Sequence, residues 1–128
     1  MNEYEKQARD FLESTGTELT VEYVDFKPYF PGDKEKRAVF EFTLRRGDKQ
    51  YKGTFGQSIA AYDKTPSAYD ILSCLDYWEG DFSDFCAEYG YSDDSIAALV
   101  TYYAVIKQSN GLKELFTFDE LEKLGEIA

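Results

Sequence analysis

Histidine is missing from all 128 residues, and cysteine occurs only twice. Without an imidazole, the Ser-His and Cys-His nucleophile arrangements, the usual zinc ligand sets and the commonest general base near neutral pH fall away together. No apolar run approaches the roughly 18 residues of a membrane span. P-loop and dinucleotide fingerprints are lacking, and residues 81–95 have neither the alternating oxygen ligands nor the central glycine and closing glutamate of a calcium loop. Paired carboxylates can hold Mg²⁺ or Ca²⁺ or hydrolyse a glycosidic bond, but no spacing here supports either use. The expectation is a protein that is not an enzyme and has no metal or cofactor site.

Internal repeats, low-complexity tracts and linkers are lacking too, so residues 1–128 are expected to form a single domain. At this length roughly two-thirds of the unfolded surface can be buried. With 43% apolar and 17% aromatic residues, the chain is too hydrophobic for a disordered acidic tail. Cys74 and Cys86 both fall in apolar helical patterns, and no leader-like segment opens the chain. Two buried, reduced thiols in a cytoplasmic, monomeric protein are therefore expected, with pairing between them left open.

Basic residues are scarce where acidic ones crowd. The 36 residues 60–95 hold nine carboxylates (Asp63, Asp70, Asp76, Glu79, Asp81, Asp84, Glu88, Asp93, Asp94) against Lys64 alone, a net −8 of the protein's −11. Residues 27–52 run the other way, with eight bases against four acids. Crowded carboxylates repel one another and stabilise nothing in a fold, whereas a field of one sign steers and holds a basic partner.

Hydrophobic periodicity supplies the architecture. Tyr4, Ala8, Phe11 and Leu12 stand at helical spacing and Gly16 terminates that helix. From Thr17 the period becomes two, giving a strand that ends near Phe26, before Pro28. Phe40, Phe42 and Leu44 alternate, as do Tyr51, Gly53 and Phe55, around a turn at Arg46, Gly47 and Asp48, which predicts a hairpin. Beyond the Gly56, Gln57, Ser58 corner the chain turns helical. Thr65 and Pro66 predict a helix running to about Leu75, with Ile71, Leu72 and Cys74 or Leu75 inward. A second helix begins near Asp81, with Phe82, Phe85, Cys86 and Tyr89 inward and Gly90 closing it. A third runs from Ser92 to just before Asn110 and Gly111, and a last one opens on the capping-box pair Thr117 and Glu120. This order predicts an α+β domain: a small antiparallel three-stranded sheet with an N-terminal helix and several C-terminal helices packed on it.

The candidate site is partner-binding, formed by Asp76, Trp78, Glu79, Asp81, Asp84, Glu88, Asp93 and Asp94. Asp81, Asp84 and Glu88 share one helical face, recurring about every 4.5–6 Å along the axis. DNA phosphates are spaced on a similar scale. The plain alternative is a solvated acidic face, with Asp93 and Asp94 favoured in the first turn of a helix. Against it stand the density of unbalanced charge and the aromatics among the acids, Trp78 foremost, which are typical of protein interfaces. At the hairpin, Arg45, Arg46, Lys49 and Lys52 keep the sheet edge from pairing. As a nucleic-acid patch with Tyr51 and Phe55 they are few, mixed with acids and opposed by the net charge, so direct nucleic-acid binding is not expected.

The segments Phe11-Leu12-Glu13-Ser14-Thr15, Tyr29-Phe30-Pro31-Gly32-Asp33-Lys34, Phe55-Gly56-Gln57-Ser58, Pro66-Ser67-Ala68-Tyr69-Asp70-Ile71-Leu72 and Asp84-Phe85-Cys86-Ala87-Glu88-Tyr89-Gly90-Tyr91 carry a resemblance over nearly the whole chain. The chain resembles a family of small acidic proteins from phages and bacterial mobile elements that includes anti-CRISPR inhibitors of type I systems. None of these segments is a catalytic fingerprint. The resemblance implies a stoichiometric inhibitor acting as a DNA mimic on a basic DNA-binding surface, most of all the surface of a type I Cascade subunit that reads the protospacer-adjacent motif. The alternative is a non-enzymatic adaptor or accessory protein of a mobile element, whose acidity serves solubility.

Overall fold

Asn2 accepts the Glu5 amide at 2.8 Å to start α1 (Glu3–Thr15), and Gly16 closes it in the left-handed conformation, as the sequence predicts. The computed structural model describes residues 2–29, 32–57 and 65–127. Phe30 and Pro31 of the segment 29–34 that carries part of the resemblance, Ser58 of the expected corner, Asp63, Lys64 and the helical stretch expected after that corner lie outside these.

Three strands, β1 (Glu18–Pro28), β2 (Lys36–Arg46) and β3 (Lys49–Gln57), form an antiparallel sheet in the order β1-β2-β3. Gly47 occupies the first position of the two-residue β2–β3 loop at φ 64°, a conformation glycine adopts without strain. β1 continues two residues past the predicted end and takes in Pro28, which an edge strand tolerates because its outer side has no ladder to complete. The β1–β2 register shifts between Tyr23 and Asp25, leaving Val24 as the extra, exposed residue of a bulge.

Alternation sets the two faces of the sheet. Leu19, Val21, Phe42, Leu44, Tyr51 and Phe55 face the helices, and the main core closes over them with Ala8 and Phe11 of α1, Ile71 and Leu72 of α2 (Ala68–Leu72), Leu112 and Leu115 of α4 (Ile96–Leu115), and Leu121 and Leu124 of α5 (Phe118–Gly125). The other face carries Thr20, Glu22, Glu41, Arg45 and Lys52. The fold is therefore α+β, as predicted, with α3 (Phe82–Tyr89) outside the main core.

Two helices differ from the sequence reading at both of their ends. α2 does not start on Thr65 and Pro66: Ser67 caps it, with a reciprocal box in which Ser67 accepts the Asp70 amide at 3.2 Å and Asp70 accepts the Ser67 amide at 3.0 Å. It ends at Leu72, so Cys74 lies beyond it and is exposed, while Cys86 is buried; both are free thiols. α4 starts on Ser95 rather than Ser92, and it runs straight through Asn110 and Gly111. Glycine at 111 marks a close approach and not a stop, since a Cβ there would overlap the Tyr51 ring of β3.

Arg46 is no edge guard. Its side chain emerges on the core face and makes two bonds to Glu120, Nη1 to Oε1 at 2.7 Å and Nη2 to Oε2 at 3.0 Å. Nη1 also donates to the Leu115 carbonyl at 2.8 Å, and the guanidinium lies 5.9 Å from the Phe116 ring centroid. Glu120 in turn accepts the Thr117 amide, so one carboxylate caps α5 and ties it to the hairpin. The Arg46 bonds hold the Glu120 carboxyl below its ordinary range, against the opposing effect of burial.

Glu120→Gln keeps the cap and loses the ion pair. We expect it to cost about 1 kcal/mol near neutral pH, since charge-assisted bonds are worth about 1.5–3 kcal/mol before discounting an Arg46 side chain one-third exposed. A carboxyl whose folded-state value is depressed stabilises fully above its unfolded range and loses that contribution as pH falls through the folded one. The stability gap between wild type and variant, read by urea denaturation, should therefore close in acid. Gly111→Ala is expected to destabilise by about 1–2 kcal/mol: overpacking costs about 1–3 kcal/mol, more than the ~1 kcal/mol that alanine gains in helix propensity. Asn110→Ala, at the exposed neighbouring position, should show only the gain.

Candidate functional site

Phe85, Cys86 and Ala98 are buried yet lie outside the main core; they form a satellite core where α3 packs on the N-terminal half of α4. The sequence builds it from rings. Phe85 stands within 4.9–5.9 Å, centroid to centroid, of Trp78, Tyr89, Tyr91 and Tyr102, and Phe82 lies 5.4 Å from Tyr102. Edge-to-face and offset pairs of this kind add about 0.5–1.5 kcal/mol each beyond the area they bury. Asp81 opens α3 by accepting the Asp84 amide at 2.8 Å, and Gly90 closes it.

The 76–80 loop is fastened across α4. The Trp78 amide donates to the buried Ser109 hydroxyl at 2.8 Å, the Asp76 amide donates to Gln108 Oε1, and Tyr102 donates to the Gly80 carbonyl at 3.2 Å. Lys113 and Glu79 form an ion pair at 3.0 Å. Bonds from Tyr77 and Lys113 hold the Glu79 carboxyl below its usual range, while burial and the Glu79 charge push the Tyr77 hydroxyl up to about 12. Trp78 is half-buried against Phe85 and Tyr89, its indole nitrogen enclosed, so its ring fastens the loop to α3.

Asp76, Glu79, Asp81, Asp84, Glu88, Asp93 and Asp94 are all exposed, and all belong to this satellite unit or its borders. Glu79 has its lysine. Among the described residues, no cation pairs with the other six. Asp93 and Asp94 are not in a helical first turn: they form the turn before the Ser95 cap, where Ser92 donates its hydroxyl to Asp94 and its carbonyl accepts the Ser95 amide at 3.0 Å. Burial, and secondarily the Asp93 charge, push the Cys86 thiol up, which keeps it protonated and unreactive. Around the Asp76 carboxylate burial acts alone, and raises it. The acids spread along an edge; among the described residues no three His, Cys, Asp or Glu side chains close around a point that could hold a metal ion.

Sequence reasoning missed the apolar part of this surface. Ile96, Val100 and Tyr103 follow helical spacing, but they project from α4 with 79%, 64% and 63% of their surface exposed, and Tyr89, expected inward, is 57% exposed. A stripe at positions i, i+4 and i+7 looks the same in sequence whether or not a neighbour covers it. The hairpin bases do not gather: Arg45 and Lys52 stand with Glu18 on the outer face of the sheet, and Arg46 is on the opposite face with Glu120. No helix among the described residues is long and apolar enough to cross a membrane. Compared with protein-family models, curated proteins and solved structures, the chain shows no match.

Glu88 sits in the last turn of α3, where no base accompanies it and the helix dipole favours cations. Asp84 sits in the first turn, where carboxylates are favoured. Neutralising two charges on one face should therefore act with opposite signs. Glu88→Gln is expected to stabilise the fold and Asp84→Asn to destabilise it, each by about 0.3–1 kcal/mol in chemical denaturation. A destabilised Glu88→Gln protein would show that this charge serves the fold.

Proposed function

We propose that the chain is a stoichiometric, non-enzymatic inhibitor that presents its 76–94 edge as a mimic of the DNA phosphate backbone and occupies a basic DNA-binding surface. Six exposed carboxylates without a cation partner among the described residues, held on one satellite unit, carry the reading: a cap, a helix start and a turn account for Asp81, Asp84 and Asp94, but the fold has no use for the charge of Glu88 or Asp93, and a lysine- and arginine-lined groove would use them all. The spacing of Asp81, Asp84 and Glu88 along α3, about 4.5–6 Å, suits residues that grip phosphates. Taken with the family resemblance, the target of this proposal is a type I Cascade subunit, at the surface that reads the protospacer-adjacent motif, and the setting is the cytoplasm of a bacterial host.

A variant with Asp84, Glu88, Asp93 and Asp94 changed to lysine leaves the Asp81 cap in place. It should keep the fold by circular dichroism yet bind the purified complex roughly a hundredfold more weakly, four exposed charge pairs of about 0.7 kcal/mol each being lost. Wild-type binding should weaken steeply with ionic strength and compete with duplex DNA. Full inhibition by the reversed protein would overturn the proposal. The exposed Ile96, Val100 and Tyr103 stripe favours the second reading, an adaptor that docks through an apolar patch. In that case Val100→Asp would abolish binding, and neither salt nor DNA would matter.

A further inference from the structure

Between α3 and α4 the satellite core leaves a depression of about 170 Å³, lined by Phe85, Tyr89, Tyr91, Thr101 and Val105, with Asp76 from the loop beside them. Three of its six lining residues are aromatic. Phe85 and Tyr91 lie parallel, 7° between ring planes and 5.8 Å between centroids, and Tyr89 is tilted 48° to Phe85 at 4.9 Å. Asp76 is the sole charged group on the wall, and its carboxylate has neither a hydrogen-bond donor nor a cation partner among the described residues; only its backbone amide is engaged.

Ring faces carry a negative quadrupole, and a neighbouring carboxylate adds a full negative charge, so the depression selects a cation with a flat or apolar surface. Guanidinium meets that description better than ammonium: it is planar, weakly hydrated, stacks on rings and can give two parallel bonds to a carboxylate. We propose that this depression is the specific contact of the acidic surface, a receptor for one arginine side chain of the basic partner, with the guanidinium against Tyr89 and Tyr91 and bonded to Asp76. The inference rests on the inhibitor reading and deepens it. The outer carboxylates attract any polycation, and the pocket adds a requirement for shape. Although Asp76 is exposed as a residue, its carboxylate is partly enclosed by the depression, which raises its pKa, a cost that an arriving cation relieves.

The sole tryptophan reports on the site, since the Trp78 ring lies 5.9 Å from both Phe85 and Tyr89. The experiment is a titration of the intact protein at 0.15 M salt with N-acetyl-arginine methylamide, its citrulline counterpart and its lysine counterpart, followed by Trp78 fluorescence and two-dimensional NMR. The arginine probe should saturate with shifts confined to the lining residues, and citrulline, uncharged but of the same shape, should not. Asp76→Asn should weaken arginine binding about tenfold or more, the loss of a charge-assisted bond, and Tyr91→Leu should weaken it without touching the carboxylate. Equal binding of citrulline, an unaffected Asp76→Asn protein, or lysine binding as tightly as arginine each overturns the proposal. The four-lysine variant separates the two readings. If it loses the basic complex while the arginine probe never bound, the pocket fails and the mimic stands. If it retains the complex while the probe saturates, the mimic fails and an arginine-reading pocket stands.

Discussion

The close approach of α4 to the sheet at Gly111 and Tyr51 governs the layout of this molecule. A 20-residue helix is about 30 Å long. Its C-terminal half packs into the main core, with Leu112 and Leu115 buried, while Ile96, Val100 and Tyr103 of its N-terminal half are exposed. That N-terminal half is the platform on which α3 and the 76–80 loop assemble their own aromatic core. Ser109 sits at the join, accepting the Trp78 amide while donating to the Val105 carbonyl at 2.8 Å. The hairpin and α5, locked by Arg46 and Glu120, form the opposite end of the same framework.

Charge follows this division of labour. In the main body, acids are used locally: Glu120 bonds Arg46, Asp33 bonds Arg37 at 3.0 Å, and Glu5 bonds both Arg9 and the Tyr69 amide at the start of α2. In the satellite, acids outnumber cations and only Glu79 finds a lysine among the described residues. Caps account for Asp81, and a turn accounts for Asp94. Asp84 is favoured in the first turn of α3, but Asp93 has no such employment and Glu88 opposes its own helix dipole. Residues that work against stability are those most readily explained by binding.

Period and caps made most of the fold legible in the sequence. The helix 3–15, the three strands, the hairpin turn at Gly47, the α3 start at Asp81 and the capping box at Thr117 all rest on short-range chemistry that needs no partner. Misread features depend on distant partners. Gly111 resembles a helix stop because Tyr51, sixty residues earlier in the chain, cannot be seen to fill its missing side chain. Arg46 resembles an edge charge because Glu120 is far away in sequence. Thr65-Pro66 and Ser67-Asp70 are rival caps two residues apart, and the reciprocal pair, satisfying two amides, prevails. For the surface, the acids could be named in advance because charge density is compositional. The exposure of Ile96, Val100 and Tyr103, and the burial of Trp78, could not, since a periodic stripe does not reveal which element covers it.

Aromatic content and acidity are coupled in the satellite. Carboxylates on a flexible loop would lose conformational freedom on meeting a partner, at about 0.5–1.5 kcal/mol for each side chain immobilised and more for the backbone. Here α3 is too short, at eight residues, to be stable alone. The ring cluster of Trp78, Phe85, Tyr89, Tyr91 and Tyr102 supplies the burial that holds it, so Asp81, Asp84 and Glu88 keep a fixed spacing before any partner arrives. Rigidity purchased by rings also leaves ring surface at the edge, at Tyr89 and Tyr91. On the proposed inhibitor reading, an acidic edge built this way is selective as well as attractive, because its apolar component rejects a polycation whose shape does not fit.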